Sequence, residues 1–296
     1  MRRWLVLLAA AAALGIGLAS AQFWIALFIY RPAAMTGLDL RSSASGGAVP
    51  MSVSHPDGSS ITGWWRPPPS AVDPVVLIVH GRSANIAARA PIMRRLAADG
   101  FGVLLFDYRG YGASAGRPSE RALAEDTLTA YRWLRDRGIA PWRIVVVGQS
   151  LGASPAAGLA SREPIGALIL VSPFTDLPGA LADRLPWLPL ELAPWTRNRF
   201  DLKQSLLRFQ GPTLLVASDE DGLVPIQNAR RLRDVSPHAQ WLDATPLRHD
   251  GMLAAITADG RLTKAIRRLA PAGAARPHEN GRPQLDRAPK AQLEVE

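Results

Sequence analysis

Short apolar runs alternate with longer polar, amphipathic stretches along most of this chain. Val75 to Val79, Gly102 to Phe106, Ile144 to Val147, Ala167 to Val171 and Thr213 to Ala217 are too short for helices and rich in β-branched and leucine side chains, so they read as buried strands. Ala239 to Leu242 is a further short strand. Between them, Ala87 to Asp99 reads as a helix closed by Gly100. Ser119 to Asp136 reads as another, with Ser119 as N-cap and Gly138 as the stop. The small-residue segment Ala153 to Ala160, Gln227 to Asp234 and the basic Arg261 to Leu269 complete the helices. Nearer the N-terminus, Met51 to Val53 and Ser60 to Trp65 read as a hairpin around Pro56-Asp57-Gly58. Buried strands alternating with helices predict an α/β domain, a mostly parallel sheet covered on both faces. Ligands of such sheets sit beyond the carboxyl ends of the strands. His80, Asp107, Ser150, Ser172, Asp221 and His249 all fall at or just after such ends.

The ends of the chain follow other rules. Met1-Arg2-Arg3 precedes an uncharged stretch from Trp4 to Tyr30, longer than the about 20 residues a spanning helix needs. Trp4 at one end, with Trp24 and Tyr30 at the other, suit the two interfaces of a bilayer. The segment 1–30 is read as a transmembrane anchor. The rival is a cleaved signal peptide with Ala19-Ser20-Ala21 at the cut, which would leave a greasy new N-terminus. The short basic tail favours an inside N-terminus and an exported domain; Arg31 and Arg41 argue for the opposite sidedness. Residues 31–50 read as a linker and 51–270 as the domain. Within it, residues 173–208 carry prolines and tryptophans among leucines without a clear strand. They read as a small cap over the site or as a surface excursion with packed tryptophans. Residues 271–296 lack periodicity and read as a disordered tail.

Composition narrows the chemistry. The chain has 296 residues, enough for one large domain with a full core. It has no cysteine, which excludes disulfides, thiolate catalysis and Cys-based zinc sites. The net charge of +9 is nearly all arginine, the lysines being Lys203, Lys264 and Lys290. The arginines are scattered and no nucleic-acid motif accompanies them, so a solvated basic surface near anionic lipid is the better reading.

The most informative motif is Gly148-Gln149-Ser150-Leu151-Gly152, set between a buried strand and a small-residue helix. This G-x-S-x-G pattern makes a sharp turn that lifts a nucleophilic serine above the sheet edge. A serine hydroxyl needs a base, usually a histidine held by a carboxylate, and the chain order here is Ser, acid, His. Of the histidines after Ser150, His278 lies in the tail and His238 precedes a strand. His249 follows the last strand and is the expected base. Asp219, Glu220 and Asp221 follow the strand Thr213 to Ala217; Asp221, which opens Asp221-Gly222-Leu223-Val224-Pro225, is favoured and Asp219 is its main rival. Two backbone N–H groups should form the oxyanion hole: Leu151, and one from the loop His80-Gly81-Arg82-Ser83, with Arg82 preferred over Ser83. His80 itself is expected to bond loop backbone.

These motifs, with Asp107-Tyr108-Arg109-Gly110-Tyr111-Gly112-Ala113-Ser114 and His249-Asp250, resemble the α/β-hydrolase superfamily. Gly116-Arg117-Pro118-Ser119-Glu120 through Asp126, the opening Ile29-Tyr30-Arg31-Pro32, and Gly63-Trp64-Trp65 are similar to its membrane-anchored Bem46-like branch. The resemblance runs from about residue 28 to residue 268. It implies the α/β-hydrolase fold and a serine hydrolase, esterase or lipase-like, that uses Ser150, Asp221 and His249 and needs no metal or organic cofactor. The substrate is then a small-molecule ester or a lipid-like one, with amide, peptide or thioester cleavage as the alternative. A catalytically silent binding protein of the same fold is the reading of another class. One departure stands out: such relatives often carry Asn-Ala-Gly-Asn where this chain has Arg82-Ser83-Ala84-Asn85. That departure bears on the second oxyanion donor. The Asp107 to Gly112 motif reads as a packed structural loop.

Overall fold

The structure, a computed structural model, describes residues 29–34, 47–184 and 198–270. Its strands are β1 (Arg31–Pro32), β2 (Val49–Ser54), β3 (Ser60–Arg66), β4 (Val75–Val79), β5 (Ser83–Ala84), β6 (Gly102–Asp107), β7 (Ile144–Gln149), β8 (Ala167–Val171), β9 (Thr213–Ala217) and β10 (Gln240–Asp243). The helices are α1 (Ala90–Ala98), α2 (Glu120–Asp136), α3 (Ala153–Ala160), α4 (Leu177–Arg184), α5 (Leu202–Arg208), α6 (Gln227–Val235), α7 (Met252–Ala258) and α8 (Arg261–Leu269).

Eight strands form one sheet in the order β10-β9-β8-β7-β4-β6-β3-β2. β2, β3 and β6 pair antiparallel, and every other ladder is parallel. The register sets Leu77 of β4 beside Leu104 of β6 and Val146 of β7. Alternate side chains divide between two cores. Val75, Leu77, Val79 and Val146 meet Leu123, Leu134, Ala156 and Leu232 of α2, α3 and α6. Val76, Ile78, Val145 and Val147 meet Met93, Leu96, Leu253, Ile256 and Ile266 of α1, α7 and α8. Both faces are covered, which is why these strands are apolar throughout instead of alternating. Each such side chain is fully buried, and each Val, Leu, Ile or Met among them contributes about 1.5–3 kcal/mol.

The chain leaves β4 for β6 on one side and then crosses to β7 on the other. That reversal opens a crevice at the carboxyl ends of β4 and β7, where an open α/β sheet binds its ligands. Asp107, at the end of β6, closes the neighbouring loop: its Oδ1 accepts from the Ile86 N–H at 3.0 Å. Gly112 has φ +56, and a Cβ there would stand 2.0 Å from Asp107 Oδ2, so only glycine fits. Asp126 of α2 accepts from the backbone and the guanidinium of Arg109, each at 2.8 Å. The loop Asp107 to Gly112 is thus a packed structural element.

Several elements depart from the sequence pattern. The helix expected from Ala87 begins as a 3-10 turn, Ile86–Arg89, and becomes α-helical at Ala90. Asn85 caps that turn by accepting from Ala87 N–H. The α7 helix was not anticipated; it is short and starts directly after Gly251, which has φ +94. The expected linker is structured at both ends. β2 begins at Val49, and β1 pairs with β5 in parallel. Ile29 and Tyr30, expected in an anchor, are buried in the domain core. Phe200, Leu202 and Leu206 of the expected cap are buried too, α4 and α5 being the helices described there. Trp187 and Trp195, the apolar run through Phe28, and the tail from residue 271 lie outside the described residues. Among the described residues no helix is long and apolar enough to cross a membrane.

Ala84 has φ +65, a left-handed conformation that costs a residue with a Cβ about 1–2 kcal/mol. Glycine removes that cost and adds about 0.5–1 kcal/mol of unfolded-chain entropy. Ala84→Gly is therefore expected to stabilise the fold by about 0.5–1 kcal/mol and raise the thermal midpoint by about 1–4 °C. An unchanged or lowered midpoint in a calorimetric scan refutes this account of the loop.

Candidate active site

β7 delivers Ser150 at its carboxyl end. Ser150 takes φ +52, a left-handed conformation that a serine adopts only under constraint. The flanking glycines supply the constraint. A Cβ on Gly148 would stand 2.7 Å from Ala156 Cβ, and one on Gly152 would stand 2.2 Å from Val79 O. Only bare backbone lets α3 approach β7 and β4 so closely. A 3-10 turn, Ser150–Gly152, then leads into α3.

His249 lies in the loop after β10, and its ring reaches back over the turn. Its Nε2 is 2.9 Å from Ser150 Oγ. Its Nδ1 is 2.9 Å from Asp221 Oδ2 and 3.0 Å from Oδ1. Asp221 Oδ1 also accepts from the backbone N–H groups of Leu223 and Val224, both at 2.9 Å. Burial pushes the Asp221 carboxyl up, but the His249 ring and these two N–H donors outweigh it and hold it below the ordinary aspartate value. An ionised Asp221 keeps the proton on Nδ1 and leaves the Nε2 lone pair facing the serine hydroxyl. All three residues are buried.

The alternatives lie elsewhere. Asp219 is exposed and accepts from Thr245 Oγ1 at 2.7 Å, and Glu220 is exposed. His238 is paired with Gln210 on the surface, and His278 lies outside the described residues. Ser172, at the end of β8 with φ +50, donates to Met252 Sδ at 3.3 Å.

The loop after β4 runs against the serine turn: a Cβ on Gly81 would stand 3.3 Å from Gln149 O and 3.5 Å from Ser150 Cβ. Gly81, and with it the start of the loop that carries Arg82 and Ser83, thus lies against the turn that carries Leu151. His80 is fully buried, and burial lowers its pKa against the opposing pull of Asp107; Nδ1–H donates to Gly81 O at 2.7 Å, and Nε2 lies 3.3 Å from Asp107 Oδ1. Three residues of this loop's support were not singled out from sequence. Arg89 donates to Ser83 O and Asn85 O, both at 2.9 Å, and Tyr111 Oη donates to Arg82 O at 2.9 Å. Asn85 donates to Ala33 O and Ala34 O at 3.4 and 3.3 Å. Asn85 was detectable as a capping residue before a helix, and Tyr111 stands in the motif read as a packed structural loop; Arg89 carried no signal. A groove of about 280 Å³ among α2, α3 and α5 has none of Ser150, Asp221 and His249 in its lining. Among the described residues no cluster of His, Asp or Glu could hold a metal ion.

A family profile for serine aminopeptidase, S33, matches residues 70–205. An uncharacterized protein of Mycobacterium tuberculosis, Rv2307c, is 39% identical over 178 residues, 60% of this chain and 63% of that one. The lysophosphatidylserine lipase ABHD12 of Danio rerio is 31% identical over 198 residues, 61% of this chain and 52% of the lipase. The chain thus spans between half and two thirds of the length of these relatives. Among solved structures, the esterase Pf2001 of Pyrococcus furiosus superimposes with a TM-score of 0.63 at 20% identity, covering 82% of this chain and 98% of the esterase. An alpha-beta hydrolase from Vibrio vulnificus gives 0.62 at 21% identity, over 76% of this chain and 83% of that one. These comparisons bear on the superfamily; the Bem46-like branch rests on the sequence motifs alone. By its sheet, its crossover and these structural likenesses, the chain has the α/β-hydrolase fold.

Proposed function

We propose that the protein is a serine hydrolase that cleaves carboxylic esters of acyl or lipid-like compounds through an acyl-enzyme. The observation that carries this reading is the unbroken hydrogen-bonded series from Asp221 through His249 to Ser150. In this mechanism His249 Nε2 takes the Ser150 proton as Oγ attacks the ester carbonyl. Asp221 stabilises the imidazolium that results. Backbone N–H groups of Leu151 and of the Arg82–Ser83 loop hold the tetrahedral oxyanion. His249 then returns the proton to the leaving alkoxide, and the alcohol departs. In the second half His249 takes a proton from water, whose oxygen attacks the acyl carbon, and Ser150 leaves with the proton back on Oγ. Every proton is returned, so the cycle needs no cofactor.

The name of the Danio rerio relative, a lysophosphatidylserine lipase, favours a monoacyl lipid as substrate. The esterase title of the Pyrococcus furiosus neighbour agrees on the bond. A second reading has one specific support: the matching family profile is that of a serine aminopeptidase, which favours amide or peptide cleavage. The apolar run Trp4 to Phe28 supports a single N-terminal span, and the short basic tail Arg2-Arg3 supports a domain on the exported side.

Three outcomes test the reading. The full chain in detergent is expected to hydrolyse p-nitrophenyl esters, and Ser150→Ala to lower turnover about 10³-fold or more. The profile from acetate to palmitate sizes the acyl site, and turnover of an aminoacyl anilide in place of the esters selects the second reading. Asp221→Asn is expected to lower kcat about 10³–10⁴-fold with little change in KM, because the wrong tautomer then faces Ser150. The same variant has a stability signature. A carboxyl held below its unfolded value near 3.9 stabilises the fold above that pH and loses the effect as pH falls through the folded value. The gap in thermal midpoint between wild type and Asp221→Asn should therefore close below about pH 4; a gap that widens in acid contradicts the assignment. For the N-terminus, the intact mass of membrane-extracted protein should retain Met1 to Ala21. A mature chain starting at Gln22 makes the segment a cleaved signal.

A further inference from the structure

We propose that Arg31–Ala34, the strand segment that follows the N-terminal apolar run, is a positioning element of the oxyanion loop. The hydrolytic site is then complete only with this strap seated. The proposal rests on the serine-hydrolase reading above.

The argument starts from the planarity of the peptide bond. A trans peptide is rigid, so a fixed carbonyl fixes the direction of the next N–H. In the loop after β4 every carbonyl from Gly81 to Asn85 has a donor from outside its own peptide. Gly81 O is held by His80 Nδ1, and this plane carries the Arg82 N–H. Arg82 O is held by the Arg31 N–H at 3.0 Å and by Tyr111 Oη, and this plane carries the Ser83 N–H. Ser83 O and Asn85 O are held by Arg89. Ala84 O accepts from the Ala33 N–H at 3.4 Å. The two candidate second donors of the oxyanion hole, Arg82 and Ser83, are thus aimed by His80 from below and by the strap from outside.

The loop does not hold this shape unaided. β5 is two residues long and pairs only with β1 among the described strands. Ala84 sits at φ +65 within it, at a cost that contacts elsewhere must offset. The strap supplies such contacts because it is itself fixed at several points. Ile29 and Tyr30 are buried in the core, and Tyr30 Oη donates to Asn198 Oδ1 at 2.9 Å. The Gly112 N–H donates to Ala33 O at 3.0 Å, and Asn85 Nδ2 donates to the carbonyls of Ala33 and Ala34.

Asn85 offers a variant that separates this role from a local one. Its Oδ1 caps the 3-10 turn by accepting from Ala87 N–H at 3.0 Å, while its Nδ2 binds the strap. Asp caps as well as Asn, so Asn85→Asp keeps the first function. It abolishes the second, because a carboxylate has no proton to give two carbonyls. The test uses the full chain in detergent, with p-nitrophenyl butyrate as substrate and a butyl boronic acid as a tetrahedral probe of the oxyanion hole. Asn85→Asp is expected to lower kcat about tenfold or more, to leave KM within twofold, and to weaken the boronate by a factor similar to that in kcat. A kcat within twofold of wild type, or a loss carried by KM with boronate affinity unchanged, overturns the strap. Should Asn85→Asp show no cooperative melt, Ala33→Pro, which deletes the Ala33 N–H bond to Ala84 O, is judged by the same criteria. Absence of Ser150-dependent turnover in the wild-type chain is a separate result: it removes the hydrolase reading itself.

Discussion

Ser150 holds a left-handed backbone because β7, β4 and α3 converge on it with no side chain between them. Gly152 lies so close to Val79 O that any Cβ would overlap it, and Gly148 likewise leaves no room for a Cβ against α3. This contact of bare backbones ties the end of one central strand to the start of a buried helix. The two cores on either side of the sheet then fix where that end can be. Leu77 and Val146 press on one face, Ile78 and Val147 on the other, and the parallel register aligns β4 with β7 residue by residue. Sliding β4 against β7 would shift the Ser150 turn relative to the loop after β4. The position of the Ser150 hydroxyl is thus decided by packing remote from it.

Around that point, buried charge is arranged by donors. Asp221 is buried yet held ionised, since three donors face its carboxylate: the His249 ring and two backbone N–H groups of its own turn. Burial alone would raise its pKa and let it take the proton that the imidazole must keep. The same turn that satisfies the carboxylate starts the approach to α6, so orientation and charge share one set of bonds. Asp107 fixes the neighbouring loop by packing and a single backbone donor, bonding Ile86 N–H and leaving Gly112 no room for a side chain.

Much of this was legible in the sequence because the physics there is local. Strands buried on both faces must be continuously apolar, and β4, β6, β7, β8 and β9 read so directly. Ser119 caps α2 as its residue type dictates, accepting from Ala122 N–H at 3.0 Å. Spacing alone could not separate Asp221 from Asp219. Both follow β9, and only the path of the loop after β10, which brings Thr245 to one and His249 to the other, divides them. β1 and β5 were invisible because two residues carry no periodicity. Ile29 and Tyr30 were assigned to an anchor for a better reason: an apolar side chain looks the same in sequence whether lipid or protein covers it. Nothing local reveals that Tyr30 reaches Asn198, far along the chain.

The residues that break local rules show where the fold's stability is spent. Four non-glycine residues with positive φ are found among the described residues: Ala84, Ser150, Ser172 and Phe200. Ser150 is in the turn after β7, and Ala84 lies in the loop after β4, which runs against it. Ser172 follows Val171, which pairs with Gln149, so it sits one strand over from the serine. Phe200 packs against Tyr30 with ring centroids 6.3 Å apart, at the base of the strap. Each costs about 1–2 kcal/mol, which the doubly covered sheet offsets many times over. None of these positions lies inside a helix or a strand of the large sheet. Among the described residues, positive-φ strain is confined to the carboxyl rim and its supports, while the strands of the large sheet keep ordinary extended backbone.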